Sequence, residues 1–104
     1  MKKVNLYGIE VEFYTESYGY HNSTAIKMKE NDGAVHDVTK SIPLITLPPD
    51  YVFLNVASEY AQVMRAFIED NGIGKSTGVT VQFGYTVYPM YHIDVKKLKT
   101  ICEE

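Results

Sequence analysis

Between Ser58 and Asn71 the apolar residues Tyr60, Val63, Met64, Phe67 and Ile68 recur at i, i+3, i+4, i+7 and i+8. At 3.6 residues per turn this spacing puts all five on one stripe of an amphipathic helix, and such a stripe must be buried against another element. Ser58 is a residue type that caps helix N-termini, and Asn71-Gly72 predicts a left-handed C-terminal stop. Arg65 and Glu69 fall four apart on the outer face, where an ion pair contributes only a few tenths of a kcal/mol.

What the stripe covers follows from the rest of the chain, most of which alternates with the period of two expected of strands. Val4 and Leu6 hold one parity and Ile9, Val11 and Phe13 the other, so the phase flips near Gly8 and requires a bulge or tight turn there. Glu10, Glu12 and Tyr14 then point away from the core. Tyr18-Gly19-Tyr20-His21-Asn22 breaks the alternation, and Ala25 to Glu30 resumes it with Ile26 and Met28 inward. Asn31-Asp32-Gly33 predicts a short hairpin loop, with Ala34 to Thr39 returning antiparallel. Pro43, Pro48 and Pro49 forbid a helix between Lys40 and Asp50, and Leu44, Ile45 and Leu47 make that segment a packed connection or edge. Tyr51 to Val56 suits a short strand.

After the helix, Val79, Val81, Phe83, Tyr85 and Val87 alternate with Thr80, Gln82, Gly84, Thr86 and Tyr88, and Pro89 is expected to end that strand. Asp94 can cap a short C-terminal helix with Val95, Leu98 and Ile101 inward and Lys96, Lys97 and Lys99 outward. Strands first, then a helix, then a strand point to an α+β fold over residues 1–104. The expected architecture is one domain built on a curved antiparallel sheet, with the Ser58–Asn71 helix on one face and a short C-terminal helix. Val11, Phe13, Ile26, Val63, Phe67, Val81 and Phe83 are its expected shared core.

Apolar residues make up 45% of the chain and charged residues 22%, an ordinary globular balance without the signature of disorder. The net charge of −3 supplies no positive field for a phosphate backbone, so nucleic acid is not an expected partner unless Lys96, Lys97 and Lys99 join other bases on one face. Cys102 is the single cysteine, which rules out an internal disulfide and fits a reducing compartment. No apolar run reads as a signal peptide or a membrane span, so the cytoplasm is the expected location and no membrane is an expected partner.

Motifs that could carry chemistry are sparse. Gly72-Ile73-Gly74-Lys75-Ser76-Thr77 ends like a phosphate-binding loop, but it follows a helix and precedes a strand, the reverse of the required order. His21, His36 and His92 lack metal-ligand spacing, yet they define the alternative reading, a metal-assisted hydrolase that combines them with nearby carboxylates. Cys102 lies beside Glu103 and Glu104, which oppose thiolate formation, and Glu10 with Glu12 reads as a solvated strand face. The unusual feature is nine tyrosines with no tryptophan. Tyrosine joins a broad apolar face to a hydroxyl and suits surfaces where contact area must coexist with water. The sequence therefore favours a non-enzymatic protein-binding module that needs no cofactor and acts on an unidentified protein partner. Its expected contact residues are Tyr18, Tyr20, His21, Tyr88, Met90, Tyr91 and His92, in two segments that interrupt the alternation.

Leu6-Tyr7-Gly8, Thr24-Ala25-Ile26 leading to Glu30-Asn31-Asp32-Gly33, Ser41-Ile42-Pro43, Asp70-Asn71-Gly72-Ile73 and Phe83-Gly84-Tyr85-Thr86-Val87-Tyr88-Pro89 together carry a likeness over most of the chain. With these, the protein resembles a family of small bacterial proteins of unknown function encoded on conjugative elements, plasmids and phages. The resemblance implies a bacterial, mobile-element setting and brings no catalytic residue with it.

Overall fold

The computed structural model describes residues 3–17, 24–43 and 45–103. In chain order the elements are β1 (Lys3–Leu6), β2 (Ile9–Ser17), β3 (Thr24–Glu30), β4 (Val35–Asp37), β5 (Thr39–Lys40), β6 (Tyr51–Leu54), α1 (Ala61–Asp70), β7 (Gly74–Phe83), β8 (Thr86–Ile93) and α2 (Val95–Glu103). The fold is α+β, as expected, with a short C-terminal helix. The strands form two antiparallel four-stranded sheets, β1-β2-β3-β4 and β5-β6-β8-β7, in place of the single curved sheet expected.

The two sheets meet at Val38. Its N–H donates to the Ile26 carbonyl at 2.9 Å in the first sheet, and its own carbonyl accepts from Asn55 N–H at 2.9 Å beside the second. Thr39 follows with its side chain buried, its Oγ1 accepting the Ile26 N–H at 3.1 Å. The segment expected to return as one strand from Ala34 to Thr39 thus turns a corner and changes sheets, without leaving these buried polar groups unpaired.

The phase flip near Gly8 is a two-residue hairpin turn. Leu6 pairs with Ile9 across it, and both Tyr7 (φ 50°) and Gly8 (φ 98°) take the positive φ that a type I′ turn demands. Tyr7 accepts an uncommon conformation for a side chain of its size while its hydroxyl donates to Asp70 at 2.8 Å, tying the turn to the end of α1. At the other end of that helix, Ser58 acts one turn before the first helical residue. Its Oγ accepts the Tyr60 N–H at 3.2 Å and its carbonyl the Ala61 N–H at 3.0 Å, so the helix begins at Ala61. The stop is a Schellman motif, with Gly72 N–H on the Glu69 carbonyl at 3.1 Å and Ile73 N–H on the Ile68 carbonyl at 2.9 Å.

The main core lies between both sheets and the two helices. Leu6, Val11, Phe13, Ile26 and Met28 come from the first sheet, Val52, Leu54, Tyr91 and Ile93 from the second, Met64, Phe67 and Ile68 from α1, and Leu98 from α2. Phe13 and Phe67 stack with centroids 5.0 Å apart, which fixes α1 on β2. Val63 is partly buried against the same core. Asp94 caps α2 as expected, its Oδ1 accepting the Lys97 N–H at 3.1 Å.

The second sheet has an apolar layer on its other face too. There Phe53, Tyr88 and Ile42 are buried, with Leu47, Val81 and Met90 packed against them. Ile42 and Leu47 come from the proline-punctuated connection, which explains why that segment is too apolar for a free linker. Two members of the expected core are corrected here. Val81 belongs to this smaller cluster, and Phe83 is 41% exposed, with the Lys40 ammonium 5.5 Å from its ring centre.

Candidate functional site

The run from Val79 to Tyr88, expected to be one strand, is a hairpin. Phe83 pairs with Thr86 around the two-residue turn Gly84-Tyr85, and Gly84 has the positive φ (64°) required at the first turn position of a type II′ hairpin. Pro89 does not end a strand. It sits inside β8 opposite Thr80, one residue before Met90, the first β8 residue paired to β6. At Pro89 β8 has a ladder neighbour on one side only, so the missing N–H costs no ladder bond.

Continuing the strand through Pro89 commits the following side chains by parity, which overturns the expectation that this segment presents its rings to solvent. Tyr88 is 5% exposed in the smaller cluster, Met90 is partly buried beside it, and Tyr91 is 0% exposed in the main core. His92 is half-exposed at the rim. Tyr18, Tyr20 and His21 lie outside the described residues.

The Tyr91 hydroxyl is nevertheless occupied. It donates to Glu69 Oε2 at 2.6 Å and accepts from Arg65 Nε at 2.6 Å, while Arg65 and Glu69 pair at 3.3 Å. The outer-face pair expected on α1 is thus a lock between the helix and β8. Burial, and then the hydrogen bond to Glu69, push the Tyr91 phenol above its usual range. A raised phenol pKa favours the neutral form in the fold, so this contribution is complete below about pH 10 and is lost as pH rises through the raised value. Unfolding midpoints followed from about pH 8 to about pH 11 should therefore fall less steeply for Tyr91→Phe than for the wild type. Tyr7, raised by its bond to Asp70, and Tyr60, raised by burial and then by Glu30, contribute alike in both proteins, so the difference between them reports Tyr91. Equal slopes would show that the hydroxyl does not feel this environment.

The two described histidines have separate partners. His36 Nε2 lies 2.8 Å from Glu30 Oε2, and Tyr60 donates to the other oxygen of that carboxylate at 3.3 Å. His92 Nε2 lies 3.1 Å from Asp50 Oδ2, with its ring 4.9 Å from that of Tyr51. The His92–Asp50 pair borders an open groove of about 640 Å³ that also takes in Glu69, Lys75, Asp94 and Lys96. Among the described residues no three His, Cys, Asp or Glu side chains are grouped to hold a metal ion. Gly74-Lys75-Ser76-Thr77, expected to be a polar loop before the strand, is instead the start of β7 itself, and Glu10 lies exposed with Lys3 at 3.4 Å. Lys96, Lys97 and Lys99 are exposed on α2.

The exposed apolar surface lies instead on the distal part of the β7–β8 hairpin. Val79, Phe83, Tyr85 and Val87 are exposed, Tyr85 completely, and together they are four of the seven large hydrophobic residues found exposed among the described residues. A bulge between Ser76 and Thr80 separates this part from the base of β7. It is braced by Thr77 Oγ1 donating to the Met90 carbonyl at 3.0 Å and by Val79 N–H donating to Thr77 Oγ1 at 3.1 Å. From Ser76 to Tyr91 the sequence contains no Asp, Glu, Lys or Arg. That charge-free run, with Gly84-Tyr85 as a hairpin turn, is the signal that strand parity alone did not expose.

The fold and this surface define a class: a two-sheet α+β domain that presents an uncharged, aromatic-tipped β-ribbon. The chain belongs to the family described as Domain of unknown function (DUF4313), whose model matches residues 9–104. The expected membership of a family of unknown function is met to that extent. No curated protein and no solved structure matched the chain. No helix among the described residues is long and apolar enough to cross a membrane.

Proposed function

We propose that this domain works by binding another protein and not by catalysis, and that the contact is made by the distal β7–β8 ribbon. The observation that carries the reading is the exposure of Val79, Phe83, Tyr85 and Val87 on a ribbon without charge. Apolar side chains grouped on a projecting element mark an interaction surface, whereas single scattered ones do not. A tyrosine at the tip supplies contact area with few rotamers to lose. The contact residues first expected at 88–92 are replaced in this reading by their neighbours in the same hairpin. The resemblance drawn from the sequence adds a bacterial mobile element as the proposed source, and the single cysteine and the want of a long apolar run support the cytoplasm as the proposed place of action.

The test compares capture by immobilised wild type with capture by a Tyr85→Ser, Val87→Ser variant in bacterial lysate. Loss of an aromatic anchor should weaken capture by about tenfold or more, with stability changed by less than about 1 kcal/mol because Tyr85 is wholly, and Val87 about half, in solvent. Undiminished capture by the variant would count against the ribbon as the contact.

A further inference from the structure

The four sheet edges of this molecule are not alike. β1 carries Lys3, β4 carries Asp37 bound to Lys27 at 3.0 Å, and β5 is two residues long and includes Lys40. Short length and charge are the usual devices that keep an edge from pairing with another chain. The fourth edge, β7, has its single charge, Lys75, at the base before the bulge; beyond the bulge Val79-Thr80-Val81-Gln82-Phe83 is uncharged, and among the described residues no strand pairs on its outer side. Counting the antiparallel alternation outward from the closing pair Phe83 and Thr86 puts the N–H and C=O groups of Thr80 and Gln82 on that open side.

We propose that β7 pairs antiparallel with β7 of a second copy of this chain about a two-fold axis at Val81, joining two β5-β6-β8-β7 sheets into one. This rests on the reading of the ribbon as a protein contact and names its partner. The segment is self-complementary in type about Val81: apolar, polar, apolar, polar, apolar. An isologous contact requires this property, since residue i must suit j and j must suit i. Val79 of each copy then lies opposite Phe83 of the other, an aromatic against a β-branched side chain on the same face, and Val81 meets its own counterpart. Thr80 and Gln82 exchange main-chain bonds across the axis. The two copies each carry a net charge of −3, but the absence of charge from Ser76 to Tyr91 means the axis sets no like charges opposite one another. The paired stretch is short, so the dissociation constant is on the order of 10 µM.

Sedimentation velocity of the full chain from about 1 µM to about 1 mM tests this. The expected result is a reversible monomer–dimer equilibrium that Gln82→Pro weakens by about tenfold or more, through the loss of two outward N–H donors per dimer. Should that variant fold poorly, Val81→Cys in a Cys102→Ser background supplies a second test. The two-fold places these thiols in a close, non-hydrogen-bonded pair, and mild oxidation should link two chains at Val81→Cys and not at the off-axis Thr86→Cys. A chain monomeric throughout the range, a dimer indifferent to Gln82→Pro in a variant of unchanged thermal midpoint, or equal linking at both cysteine positions would overturn the proposal. A monomeric wild type whose lysate capture still depends on Tyr85 and Val87 would refute the dimer while leaving the ribbon as the contact surface.

Discussion

Replacing Tyr91 by alanine is expected to cost about 3–5 kcal/mol, against a total stability for a domain of this kind of about 5–15 kcal/mol. The ring is wholly buried between the second sheet and α1, and its removal opens a cavity that close-packed neighbours can fill only in part. Arg65 and Glu69 also lose the hydroxyl that ties the helix to β8. Tyr85→Ala, six residues away at the ribbon tip, should change stability by less than about 0.5 kcal/mol, because its side chain is already in water. Equilibrium denaturation of the two variants measures the contrast. A loss below about 1 kcal/mol at Tyr91 would contradict the placement of that ring in the core.

The second large effect is expected at Phe13. Phe13→Ala removes a buried ring from β2 that stacks on Phe67 of α1, and should also cost about 3–5 kcal/mol. Because the two rings are in direct contact, the costs of Phe13→Ala and Phe67→Ala should not add. A double-mutant cycle should return a coupling of about 0.5–1.5 kcal/mol, and additive losses would place α1 somewhere other than on β2.

What the sequence made legible follows the strength of each local signal. The stripe on α1, the Asp94 cap of α2 and the Tyr7-Gly8 phase flip are short-range patterns whose physical cause lies within a few residues, and each appears close to where it was expected. Two features depend on distant chain and were not legible. Val38 changes sheets without a glycine, a proline or a break in its own composition, because the bonds that define the corner come from Ile26 and Asn55. Pro89 was expected to end a strand because its missing N–H forbids a central position, but the pairing between β6 and β8 ends at Met90, one residue from it.

That single misreading moved the candidate site. With the strand ended at Pro89, Tyr91 and His92 lay in a loop free of parity; with the strand continuous, Tyr91 is core and His92 pairs with Asp50 at the rim. The tyrosine excess is therefore mixed in cause. Tyr88 and Tyr91 serve packing, Tyr7 and Tyr60 bind carboxylates on other elements, and Tyr85 alone of these five stands free in solvent.

The most direct measurement places a photoreactive phenylalanine analogue at Tyr85 and, in a separate protein, at Thr100 on the exposed face of α2, with irradiation in bacterial cells. The proposed contact surface predicts covalent protein adducts from position 85, including linked copies of the chain itself, and none above background from position 100. Adducts from position 100 alone, or equal yields from both, would contradict it.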